Sequence, residues 1–165
     1  HLGSSLSCID LMVSIFFSKI FSFDINKNSK DKFILSKGHA AAALYSVLSE
    51  KGYFDRSKLK KYAKNNSIFE EHPSSKINGV VCSTGSLGHG LSFGAGISIG
   101  ENFLKKKNKT IVLLSDGECN EGSIWEAAGF ASAQKLNNLI AIIDSNKWQA
   151  TGRSKNIVEG YIKRK

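Results

Sequence analysis

Two apolar runs set the architecture of this chain. Thr110 to Leu114 is β-branched and apolar and stops at Ser115-Asp116-Gly117. Leu139 to Ile143 is a second such run and stops at Asp144-Ser145-Asn146. Continuous apolar runs of this length with polar tips predict buried parallel strands. A third, shorter run, Phe33-Ile34-Leu35, ends at the turn Ser36-Lys37-Gly38-His39. Helical periodicity fills the intervals. Ser4 or Ser5 is placed to cap a helix running to about Ile20, with Leu6, Ile9, Met12, Val13, Phe16 and Phe17 as its apolar face. Further helices are expected over 40–51 (ended by Gly52), 56–64, 88–104 and 123–136. Segments 24–31 and 65–81 read as loops. The pattern predicts an α/β fold, a parallel β-sheet with helices on both faces and right-handed crossovers.

If the two long strands are neighbours, Asp116 and Asn146 meet at the carboxyl edge of the sheet, where open α/β sheets bind ligands. A carboxylate, an amide oxygen and a Gly that lets backbone approach closely suit Mg and a diphosphate. Gly117 is expected to offer its N–H to a phosphate at a helix start. The plainer alternative for Asp116-Gly117 is a turn or a helix cap.

Composition narrows the classes. A chain of 165 residues with 41% hydrophobic and 22% charged content is expected to form one domain, 1–165, of a globular protein. No apolar run reaches the ~18 residues that span a membrane. Leu11 to Phe23 is interrupted by Ser14, Ser18, Lys19 and Ser22 and lacks the flanks of a signal sequence, so it reads as a buried helix. Cys8, Cys82 and Cys119 form no CxxC pair, which suggests a reducing, cytoplasmic setting. Cys119 reads as space-filling. The net charge of +9 comes from lysine patches at 58–61, 105–109 and 163–165. These patches lack interleaved aromatics, so no nucleic acid is expected as partner; attraction of anionic sugar phosphates is a milder use of the charge. The chain starts at His1, inside a motif, which suggests truncation at one or both ends.

Four blocks occur in order: His1-Leu-Gly-Ser-Ser5, Ser36-Lys-Gly-His-Ala40, Thr84-Gly-Ser-Leu-Gly-His-Gly90, and Ser115-Asp-Gly-Glu-Cys-Asn-Glu-Gly122 with Ile124-Trp-Glu-Ala-Ala128, answered by Asn146. Together they resemble the transketolase branch of the thiamine diphosphate enzymes, from His1 to about Gly152. Two positions depart from the motif: Ser115 stands for its first Gly, and Ser145 where many relatives carry Asn or Asp.

The resemblance implies the following site. Asp116, Asn146 and the carbonyl of Trp148 hold Mg. Gly85 and Leu87 contact the aminopyrimidine of thiamine diphosphate. His39 faces the diphosphate, His72 the first hydroxyls of the substrate, and His1 the region of its carbonyl. Glu121 takes part in a subunit interface near the cofactor, and His89 has no assigned role. The implied reaction is transfer of a two-carbon ketol unit between sugar phosphates. The resemblance also implies a partner, a carboxy-terminal transketolase subunit carrying the pyrimidine-binding domain, in a homo- or hetero-oligomer. His89 and the short Lys147–Gly152 segment look typical of the amino-terminal subunit of a split enzyme. A related enzyme, such as a deoxyxylulose-phosphate synthase or one of a specialised sugar pathway, and a non-catalytic binding relative stay open. The apolar helix 4–20 and the Gly-rich 85–100 segment are expected to leave apolar surface for an interface.

Overall fold

A computed structural model describes residues 1–23, 25, 31–150 and 152–157. Expectations for the 163–165 patch and for most of the 24–31 loop lie outside these residues. Three parallel strands, β1 (Lys32–Leu35), β2 (Thr110–Ser115) and β3 (Leu139–Asp144), form a sheet in that order. Ile34 pairs with Val112, and Val112 with Ala141. All three strands point the same way, so their polar tips share one edge.

Alternation along the strands divides the core. Phe33, Leu35, Ile111 and Leu113 face α1 (Leu2–Phe17) and α2 (Ala41–Glu50), meeting Cys8, Met12, Phe16, Leu44 and Leu48. Ile34, Val112 and Leu114 face the other way, onto Leu91 of α3 (Gly90–Phe103) and Ile124 and Ala127 of α4 (Gly122–Ala133). Helices therefore cover both faces, as predicted.

Four local expectations need correction. Neither Ser4 nor Ser5 caps α1: the helix starts at Leu2, and the Ser5 amide already bonds the His1 carbonyl. It ends at Phe17, two residues before Lys19, whose φ of 64° no helix accommodates. Its buried face is Ser5, Cys8, Met12, Ile15 and Phe16, whereas Leu6, Val13 and Phe17 are exposed. The small residues Ser5 and Cys8 let α1 lie close to its neighbours, and apolar side chains occupy its outer side as well. Finally, β3 is not fully buried. It pairs on one side only among the described residues, and Ile143 is exposed.

Candidate active site

The carboxyl edge of the sheet opens into a cleft of about 760 Å³, within the size range of cofactor pockets. It gathers the predicted residues His1, His39, His72, Gly85, Leu87, Gly117, Glu121, Asn146 and Trp148. Asp116 lies buried at the tip of β2.

Each block reaches the cleft for a local reason. The tip of β2 turns into a short 3-10 helix, Gly117–Asn120, which Asp116 caps by accepting the Gly117 amide at 2.9 Å. The amide expected to face a phosphate is thus satisfied by Asp116, and the α-helix starts only at Gly122. The other Asp116 oxygen accepts from the Lys147 amide at 3.1 Å and the Ser154 hydroxyl at 2.7 Å. The Asn146 side-chain oxygen accepts the Trp148 amide at 2.8 Å. Asp116 and Asn146 therefore engage consecutive amides of one turn. Trp148 then enters a short hairpin, β4 (Trp148–Gln149) with β5 (Gly152–Arg153).

The Gly-rich loop packs over the end of β1, where the Thr84 hydroxyl donates to the Leu35 carbonyl at 2.6 Å. A Cβ on Gly38 would lie 2.8 Å from the Gly85 nitrogen, and one on Gly85 would lie 2.8 Å from the His72 ring. Only glycine at both positions lets these two loops and His72 close together. The Tyr45 hydroxyl holds the His72 carbonyl at 2.9 Å. The His1 ring is 5.4 Å from that of His39 and 6.2 Å from that of His72. Burial, then the charges of Lys37 and His72, pushes the His39 imidazole below its ordinary value of 6.5, so it is neutral near pH 7. Glu121 stands exposed before α4, and its side chain caps nothing. His89 is exposed before α3 and does not line the cleft.

Sequence reasoning missed the floor. Lys37, 1% exposed, forms an ion pair with Asp144 at 2.6 Å. The Ser7 hydroxyl donates to the same Asp144 oxygen at 2.6 Å and accepts from Lys37 and from Asn146, each at 3.2 Å. Beside this cluster Glu118 is completely buried. It accepts from the Ser36 hydroxyl, from the Gly88 amide at 2.8 Å and from the Ser115 amide at 3.3 Å. Burial pushes the Glu118 carboxyl up, while those three donors and the Lys37 charge oppose the rise. All of these residues lay inside or beside the sequence blocks, but only their contacts show their use. The Cys119 thiol is pushed up to about 11 by burial and then by Glu118 and Asp116, which suits a space-filling residue and not a thiolate nucleophile.

The donors fit a hard cation with a diphosphate. Among the described residues no three His, Cys, Asp or Glu side chains form a metal cluster. The edge instead offers one carboxylate and one amide oxygen in contact with a single turn. That is the sparse oxygen set Mg takes when phosphates and water complete its shell.

The family model of the transketolase thiamine diphosphate binding domain matches residues 1–165. This chain belongs to that family. An apulose-4-phosphate transketolase subunit of Phocaeicola vulgatus is 38% identical over 160 residues, covering 96% of this chain and 57% of that protein. A 6-deoxy-6-sulfo-D-fructose transketolase subunit, SqwG of Clostridium sp. (strain MSTE9), is 35% identical over 160 residues, covering 95% and 58%. Among solved structures, transketolase from Leishmania mexicana superposes with a TM-score of 0.83 at 26% identity, covering 92% of this chain and 26% of that one. The chain thus spans a little over half the length of the two subunits it matches. It is a thiamine diphosphate-binding domain of the transketolase kind, in a family of transferases. No described helix is long and apolar enough to cross a membrane.

Proposed function

We propose that residues 1–165 form one unit, the diphosphate- and Mg-binding half of a transketolase-like enzyme. With a pyrimidine-binding partner subunit it transfers a two-carbon ketol unit between sugar phosphates. The observation that supports this reading most is the single cleft that gathers the Asp116–Asn146 turn, the Gly-rich loop and three histidines at one sheet edge. The names of the two relatives, both of them subunits, point the same way.

Asp116, Asn146 and the Trp148 carbonyl would hold Mg. Gly85 and Leu87 would form one wall for the aminopyrimidine. Bound thiamine diphosphate would supply carbanion stabilisation. His39, neutral at pH 7, can donate one hydrogen bond to a phosphate oxygen while its other nitrogen accepts. His1 and His72, both exposed on the rim, are placed to bind and orient substrate hydroxyls and to pass protons at the carbonyl. Lys37, already neutralised by Asp144, steadies the floor. Glu121 would meet the partner subunit, and the outer apolar side chains of α1 and α3 would be covered in a symmetric assembly.

The test is a coupled ketol-transfer assay on the purified chain with and without the candidate partner. Turnover is expected only with the partner; robust turnover by the chain alone refutes the two-subunit reading. A second reading, a related thiamine diphosphate enzyme of a specialised sugar pathway, is favoured by the different sugars in the relatives' names. A donor panel separates the two.

A further inference from the structure

Glu118 has no role in the chemistry above, yet it is the most enclosed carboxylate of the site. Its two oxygens collect donors from three separate segments. Ser36 begins the turn that carries Lys37 and His39. Gly88 belongs to the loop that carries Gly85 and Leu87. Ser115 ends β2 immediately before Asp116 and Gly117. The Glu118 amide closes the ring by donating to the Ser115 hydroxyl at 3.2 Å. Three walls of the cleft, though not α1 or the Asn146–Ala150 segment, are therefore tied to this one side chain. A nearby wall adds to it, since the Ser123 hydroxyl donates to the Gly88 carbonyl at 2.9 Å.

We propose that Glu118 is a positioning residue: its buried carboxylate clamps the Gly-rich loop and the Ser36–His39 turn onto the tip of β2, and so sets the affinity of the cleft for its cofactor. The inference rests on the reading that the cleft binds thiamine diphosphate. A carboxylate suits this place because all its neighbours are donors. A glutamine would keep one acceptor oxygen and turn its NH2 toward a backbone amide, setting donor against donor.

The test uses the protein assembled with its partner. In Glu118→Gln, amide exchange at Gly88 and Ser115 in the absence of cofactor should speed up at least about tenfold, and the Kd for thiamine diphosphate with Mg should rise roughly ten- to a hundredfold. Turnover at saturating cofactor should stay within about twofold, because nothing that touches substrate has changed. A general loss of stability would instead raise exchange throughout β1, β2 and β3. Should Glu118→Gln fail to fold, Ser36→Ala, which removes one donor and keeps the carboxylate, should show the same local pattern to a smaller extent. Wild-type exchange at Gly88 together with an unchanged Kd overturns the inference. If the wild-type protein binds no thiamine diphosphate, the cofactor reading fails by itself, and the exchange comparison still decides whether Glu118 clamps the loop.

Discussion

Two buried carboxylates stand at neighbouring strand tips and are neutralised in different ways. Asp144 at the end of β3 faces a lysine and a hydroxyl: Lys37 and Ser7 both converge on one of its oxygens at 2.6 Å. Glu118 beyond β2 faces a hydroxyl and two backbone amides. The first arrangement joins the floor of the cleft to α1 and concerns stability. The second joins loops and concerns shape. An ion pair tolerates small displacements, whereas amide donors must keep distance and angle, so the Glu118 arrangement is the more exacting about loop conformation.

The largest expected effect breaks the Asp144 side. Lys37→Met leaves a buried carboxylate without its cation and should cost about 3–5 kcal/mol of stability, measured by urea unfolding. Adding Asp144→Leu should recover much of that loss, since the uncompensated charge goes too. A double mutant no more stable than Lys37→Met would show that the pair does more than neutralise itself.

Asp116, at the tip of β2, is a third buried carboxylate. Asp116→Ala should abolish Mg-dependent binding of thiamine diphosphate in calorimetry on the complex assembled with the partner. It should cost only ~1–3 kcal/mol of stability, since the donors of Gly117, Lys147 and Ser154 lose an acceptor but no charge is stranded. Unchanged cofactor affinity would remove Asp116 from the metal site.

A smaller effect concerns the rim. The His39 imidazole is depressed in the folded protein, so the unfolded chain takes up a proton first as pH falls below 6.5. Its contribution is present above that value and is lost as pH drops through the folded one. The pH dependence of unfolding free energy between about pH 7 and pH 5 should therefore flatten in His39→Gln. An identical slope would mean that another group carries it.

The smallest effect lies outside the cleft. Phe103, 80% exposed at the end of α3, should tolerate Ser with a stability change within about 0.5 kcal/mol. If the apolar outer faces are interfaces, the same change should weaken assembly in sedimentation. Unaltered assembly would remove α3 from the interface.

The strands were legible because Thr110–Leu114 and Leu139–Ile143 are uninterrupted apolar runs with polar ends, and neighbouring parallel strands put such ends on one edge. The face of α1 was only partly legible: Met12 and Phe16 are buried as expected and Ile9 packs against the core, but Leu6, Val13 and Phe17 are exposed. That helix is apolar on several sides, and closeness to its neighbours, not hydrophobicity, turned Ser5 and Cys8 inward and left Leu6 outside. Nothing local to Glu118 signals its burial. Its burial depends on Ser36, 82 positions away, and on Gly88, 30 positions away, which no local pattern encodes.

The sequence by itself determined the α/β class, the three strands and the blocks that converge on the cleft, because strand periodicity and turn chemistry are local. Tertiary structure alone decided which polar residues are buried with which partners. Lys37 found Asp144, Glu118 found the Gly-rich loop, and Asp116 found the Lys147 amide and the Ser154 hydroxyl. Burying a charge is favourable only where complementary donors arrive from distant segments, and that arrival is a property of the packed chain.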